Sequence, residues 1–388
     1  MAATEALGRR LRAAWQRLGG TLRAVLGGLL AGHAAVPLHS AQAATLPEER
    51  SEALLHHYEG GGVKASGPAF LVRKSLADKV SLSAQYYVDA VSNASVDVVT
   101  TASPFRETRT ATSVGADWLV RDAVLSLSLD RSREPDYEAD TWSANVTQEV
   151  FGGMSTVSLG YSRANDTVGT KTQGFFDYAK HWQYRAGLTQ ILTPRWLASL
   201  NVEAVSDEGY LASPYRAARV FGAAVPERLP RTRSSRAVKL RSVSDLGEGA
   251  SRTALRVEYR YFWDNWDITG HTVELGAARR FGADWLVDAS LRHYSQSAAL
   301  FFADNAQRET LYVSRNRQLG TFTSQGLNLQ ATWTAPPQFS AWGASHGLRA
   351  TLGVEFKRFD FKDYTDLRTG AAYSHNAHVL QATVSATF

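Results

Sequence analysis

Residues 228–241 read RLPRTRSSRAVKLR and hold six cations: Arg228, Arg231, Arg233, Arg236, Lys239 and Arg241. Guanidinium and ammonium groups at this density suit phosphate or carboxylate oxygens. The segment reads as an anion-attracting site, for a phosphate-bearing solute or for lipopolysaccharide phosphates. The alternative is a solvated loop entering a strand. A second segment, Asp89 to Ser103 (DAVSNASVDVVTTAS), is rich in oxygen ligands, with Asp89, Asn93 and Asp97 the strongest. Calcium is the cation such a set would take, although the glycine and terminal glutamate of an EF-hand are missing. A third, Trp263 to His271 (WDNWDITGH), sets Asp264, Asp267 and His271 beside two tryptophans. It suits a cation or a sugar ring, or else an aromatic girdle at a membrane interface followed by a polar turn. Catalysis is not expected. His293 and Ser295 are close, as are Ser345 and His346, but neither pair has the third orienting group that a nucleophile needs. There is no glycine-rich phosphate loop, haem motif or metalloprotease helix, and no cofactor is expected beyond that cation.

The elements that must carry these residues are strands. From Leu380 to Phe388, apolar or small residues (Leu380, Ala382, Val384, Ala386, Phe388) alternate with Gln381, Thr383, Ser385 and Thr387. A period of two is a strand with one oily and one wet face. The same alternation recurs at 80–86, 125–130, 157–162, 255–261 and 348–357. Short turns such as Ala77-Asp78-Lys79, Arg121-Asp122 and Thr193-Pro194-Arg195 take turns with long polar connections at 89–109, 131–140, 164–177, 207–235, 263–270, 295–317 and 359–376. This predicts an all-β fold, a transmembrane antiparallel up-and-down β-barrel of about 14 strands, within about 12–16. The short turns would face the periplasm and the long loops the exterior.

The ends agree. Five arginines precede a short apolar core at Ala24–Val36, and Ala41-Gln42-Ala43 is a small-x-small cleavage site, so residues 1–43 read as a secretory signal peptide. Residues 44–79 are expected as a periplasmic or lumenal segment, and 80–388 as the barrel in the outer membrane of a Gram-negative cell. Val63 to Lys74 also looks strand-like. If it joins the wall, a strand from 44–62 must join too, giving about 16. The terminal aromatic Phe388 resembles the signal by which barrel-assembly machinery recognises its clients.

Composition narrows the function. The chain has 42 basic and 37 acidic residues; the first 43 hold five arginines and one glutamate, so the remainder carries 37 against 36. No basic field remains that would select nucleic acid. Cysteine is absent, which removes disulfides and thiolate chemistry. The expected inward positions carry both signs: Arg256, Arg260, Arg280, Arg292, Lys239, Arg241, Arg349 and Lys357 with Asp130, Glu203, Glu258, Glu274, Asp288 and Glu355. Such rings line a pore and set its field, or pair and block it.

Four blocks carry a resemblance: GPAFLVRKSL (67–76), YYVDAVSNASVDVVTTASPF (86–105), YRYFWDNWDITGHTVEL (259–275) and RHYSQSAALFF (292–302). Together they resemble a proteobacterial family of outer-membrane proteins known only as a domain of unknown function. Asp267 departs from the family pattern, which has glycine there. The resemblance implies an outer-membrane barrel and no reaction. It also implies a link to periplasmic thioredoxin-like and flavin-transferring proteins, hence to a redox or flavin-related system. Two functions follow from the sequence. One is a channel or export component for a small polar or anionic solute. The other is a plugged barrel whose loops, or whose tail from Ala44 to Lys79, dock a periplasmic or surface partner. The surrounding partners are outer-membrane lipid, lipopolysaccharide and the assembly machinery.

Overall fold

The computed structural model describes residues 44–93, 105–170, 174–247, 252–336 and 347–388. The signal-peptide reading and Asp97 lie outside them. Eighteen strands follow one another: β1 (Arg50–Gly60), β2 (Val63–Leu76), β3 (Val80–Asn93), β4 (Phe105–Val120), β5 (Ala123–Glu134), β6 (Tyr137–Val150), β7 (Ser155–Gly169), β8 (Phe176–Thr193), β9 (Trp196–Gly209), β10 (Ala217–Val220), β11 (Ala223–Pro226), β12 (Thr232–Leu246), β13 (Thr253–Asp264), β14 (Thr269–Phe281), β15 (Trp285–Gln296), β16 (Phe322–Thr334), β17 (Gly347–Thr365) and β18 (Ala372–Thr387). Sixteen of them form one closed antiparallel barrel, while β10 and β11 make a separate hairpin inside the β9–β12 connection. Closure runs from Arg50↔Thr387 to Gly60↔Ala377, where β18 pairs with β1. The barrel sheet has no open edge, which is what lets a sheet sit in hydrocarbon.

The strand count is sixteen, the upper end of the expected range, because β1 and β2 belong to the wall. Residues 44–79 are therefore not a free tail; most of them pair with β18, with β3 and with each other. The sequence left this open for a physical reason. In β1 the inward Leu54 is as apolar as the outward Leu55, and in β2 Gly67-Pro68 breaks the pattern. A side chain at Gly67 would sit 1.9 Å from the Val88 carbonyl oxygen, so only glycine lets β2 approach β3 there.

The apolar face of each strand points outward. Leu129, Leu159, Leu240, Leu291 and Leu380 are all exposed on the outer surface. Trp118, Trp196, Trp285 and Trp333 lie towards the end of the barrel that carries the short turns and both strand termini, and Trp285 pairs directly with Trp333. Towards the other end, Trp142, Tyr161 and Tyr184 pack side by side with tilted rings at 5.0 and 5.2 Å. Aromatics on both sides of an apolar belt match the girdles of an outer-membrane barrel. Several connections expected as long loops are strand instead. β17 runs for 19 residues, and β5 and β6 meet at a turn of residues 135–136. Above the belt, paired strands present charge outward, as in Arg131–Asp140 (2.6 Å) and Arg133–Glu138 (2.7 Å). Alternation fades there because both faces meet water, yet the backbone ladder continues.

Candidate functional site

Inward side chains at mid-barrel enclose a cavity of 710 Å³. Its two walls differ. From β5 to β9 it is lined by Ser126, Asn145, Ser158 and Asn201, which are hydrogen-bonding and uncharged, with Arg185 and Glu203 the ionic exceptions. From β12 to β17 it is ionic. Arg256 reaches Asp288 through both terminal nitrogens (3.0 and 3.1 Å). It can do so because Gly276 lies under it; a side chain there would stand 2.6 Å from Arg256 Nη2. Lys239 (2.7 Å) and Arg241 (3.1 Å) share the carboxylate of Glu258. Arg260 approaches Glu203 at 3.5 Å, and Lys357 binds Glu355 at 3.0 Å. Ion pairs in a lumen keep their charges from water loss by pairing rather than by solvation, and leave a field of mixed sign.

The basic segment does not act as one cluster. Arg228 lies in the outer connection and donates to the Thr310 carbonyl (2.9 Å). Arg231 makes a two-point bond to Asp177 (2.7 and 2.9 Å). That guanidinium holds the Asp177 carboxyl below the usual carboxylate range, and the carboxylate raises Arg231 in turn. Arg233 points inward, bonded to Asp264 and 4.5 Å over the Trp266 ring. Arg236 points outward, opposite Trp263. Only Lys239 and Arg241 join Arg256 and Arg260 at the cavity. Strand alternation divides the segment: odd positions face in, and even ones face out.

The oxygen-rich segment also divides. β3 extends through Asn93, so Asp89 is wall rather than loop. It is buried inside, 2.5 Å from His56 Nε2, with Tyr87 stacked on that imidazole at 4.9 Å. Among the described residues no group of three acids or histidines is arranged to hold a metal. In WDNWDITGH, Asp264 faces Arg233 inside, and His271 bonds the Tyr259 hydroxyl outside at 2.8 Å. Asp267 has φ +68°, the left-handed region that favours glycine. The carboxylates and the imidazole thus serve separate places. His293 and Ser295 lie on the outer face of β15, and Ser345 and His346 lie outside the described residues.

Two features escaped sequence reading. The first is a buried chain of hydrogen bonds in which His181 lies between Asp207 (2.5 Å from Nδ1) and Asp166 (2.9 Å from Nε2), while Tyr137 donates to Asp166. All four face inward from β6 to β9, near the outer mouth. Their inward parity is readable, but the register that joins four strands is not. The second is a cap. The β9–β12 and β15–β16 connections interlock through backbone bonds between Arg228 and Val313 (3.0 and 2.9 Å) and from Phe221 to Ala306 (2.9 Å). Ala218, Val220, Ala306 and Val313 form the cap's own apolar core. Phe302 tucks against the inward aromatic cluster of Tyr294, Phe322, Phe361, Tyr364 and Tyr373. Arg315 latches the cap to β17, donating to Tyr364 Oη (2.9 Å) and the Thr365 carbonyl (2.5 Å) while holding Asp304. The outer mouth is thereby covered on the β12–β18 side.

Comparison with known proteins agrees with this architecture. A family model described as "Protein of unknown function (DUF3570)" matches residues 91–341. No curated protein matches. Among solved structures, a bacterial polysaccharide outer membrane secretin aligns over 88% of this chain and 100% of its own, at 8% identity and a TM-score of 0.50. The siderophore receptor PirA from Pseudomonas aeruginosa aligns over 89% of this chain and 81% of its own, at 12% identity and a TM-score of 0.42. The likeness to the secretin is one of fold: a closed outer-membrane β-barrel.

Proposed function

This chain belongs to the DUF3570 family, whose function is unknown, and we propose that it is a capped channel for small polar or anionic solutes. The observation that supports this reading most is the 710 Å³ lumenal cavity, lined by ion pairs on one wall and by amides and hydroxyls on the other. An apolar plug would serve a scaffold better. A wall of paired charges with a hydrogen-bonding face opposite is suited to conducting hydrated or polar molecules. The cations at the cavity outnumber the acids by one (Arg185, Lys239, Arg241, Arg256, Arg260 and Arg292 against Glu203, Glu258, Glu274, Asp288 and Glu355), which tilts the path towards anions. The cap must shift for transit from outside, and the Arg315 latch is where it would be released. No reaction and no metal or cofactor is part of this reading.

Planar-bilayer conductance of the folded protein tests it. The expected result is small or infrequent steps from the native chain and larger, stable steps from Arg315→Gln. Anion preference should fall when Lys239 and Arg241 become Gln. Silence from both the native protein and the unlatched variant, each shown to be folded, would overturn the channel reading.

The cap favours a second reading. Its two interlocked connections form a folded outer surface with a core of their own, as a docking platform would need. In this reading the barrel is a scaffold for a surface partner, and deleting residues 217–226 would abolish capture of that partner without changing conductance.

A further inference from the structure

Arg292 on β15 and Glu274 on β14 are directly registered partners, and both face the cavity. They belong to a row of inward side chains that runs Arg241, Glu258, Glu274, Arg292, Gly326, Lys357 around the wall. Glu258 is neutralised by two cations, and Lys357 is held by Glu355. Arg256 and Arg260 have Asp288 and Glu203. Arg292 and Glu274 make neither an ion pair nor a hydrogen bond; they attract through space without contact. Arg292 is 8% exposed, and both of its terminal nitrogens lack a hydrogen-bond partner among the described residues. A buried guanidinium without an oxygen partner is costly, so these two nitrogens favour an oxygen ligand from the lumen. Gly326 beside it supplies no side chain and leaves space on that flank.

We propose that Arg292 and Glu274 form a binding site for a zwitterion of the α-amino-acid type, its carboxylate on Arg292 and its ammonium on Glu274. The proposal rests on the lumen being a solute path and names the solute class. The neighbouring acid repels a simple anion from Arg292, and the neighbouring guanidinium repels a simple cation from Glu274. A molecule that carries both signs on one carbon satisfies both. Adjacent strands stand about 4.8 Å apart, a span that one small zwitterion can bridge with two charge-assisted hydrogen bonds. Asn145, Ser158 and Asn201 on the facing wall can take a polar side chain.

Titration calorimetry of the full barrel in detergent tests this, with L-alanine, acetate and ethylammonium as probes. L-Alanine should bind saturably, and acetate and ethylammonium about tenfold or more weaker. Arg292→Gln and Glu274→Gln should each weaken L-alanine by about tenfold or more, and Arg292→Lys should retain part of the affinity. Heat-modifiable gel migration identifies any variant that fails to fold, and Arg292→Lys then carries the comparison. Absence of saturable L-alanine binding, or binding that neither Gln variant changes, overturns the site. Conductance of the same preparation separates the two ideas. Conduction without L-alanine binding removes the site and leaves the channel. Binding with bilayers that stay silent for both the native chain and Arg315→Gln keeps the site and removes the channel.

Discussion

Arg315 and Tyr364 hold each other twice: the guanidinium donates to the phenol at 2.9 Å and lies 4.1 Å from the centre of its ring. Arg315 is 6% exposed and Tyr364 1%. One side chain of the β15–β16 connection is thereby fixed to the inner wall of β17. Arg315→Gln should loosen the cap while the barrel stays folded. The check is limited proteolysis, which should cut within residues 297–321 several times faster. Unchanged cleavage would show that the apolar cluster around Phe302 holds the cap alone.

His181 separates two buried carboxylates. Removing it with His181→Ala leaves Asp166 and Asp207 facing each other without a shared donor, a loss of about 3–5 kcal/mol for a broken buried pair. Thermal unfolding should show a clear drop in midpoint. Adding Asp166→Asn should recover part of it, because one of the two facing charges is gone.

Leu240 faces outward between the girdles. Leu240→Arg should cost about 2–4 kcal/mol in a bilayer, whereas the inward neighbour changed as Lys239→Gln should cost much less. Denaturant titration in liposomes measures both. Equal costs would mean that the faces are assigned wrongly.

Phe388 ends the chain beside β1; its amide meets the Glu49 carbonyl at 3.4 Å, and Lys74 lies 4.9 Å from its ring centre. If the aromatic is read by assembly machinery, Phe388→Ala should lower the folded fraction in cells while refolding into detergent stays normal. An equal loss in both settings would make its role structural.

Asp177 is held below the usual carboxylate range by Arg231, so this tie is present above the ordinary aspartate value of about 3.9 and is lost as pH falls through the lower folded value. Protease access to the strand-entry segment around Arg231 should rise only in strong acid. In Arg231→Gln it should be high and flat from neutral pH down to that acid range.

The alternation at Leu380–Phe388, repeated along the chain between short turns and long polar connections, made a barrel legible in the sequence, because a period of two over so many strands gives a sheet with one oily and one wet face. It also aimed Lys239, Arg241, Arg256 and Arg260 inward, since parity along a strand is local information. Tertiary structure alone decided the rest. The Gly67-Pro68 break and the apolar inward Leu54 left it open whether the first two strands join the wall, which closure against β18 decides. Arg236 and Arg233 differ by three residues and by the thickness of the wall. Arg292 and Glu274 sit 18 positions apart in the chain and become a pair through register, which is set by turns and ladders rather than by either residue. The cap joins connections some 80 residues apart, as Arg228 and Val313 show. Contacts between distant segments depend on where the backbone is delivered, and no local pattern of residues encodes that delivery.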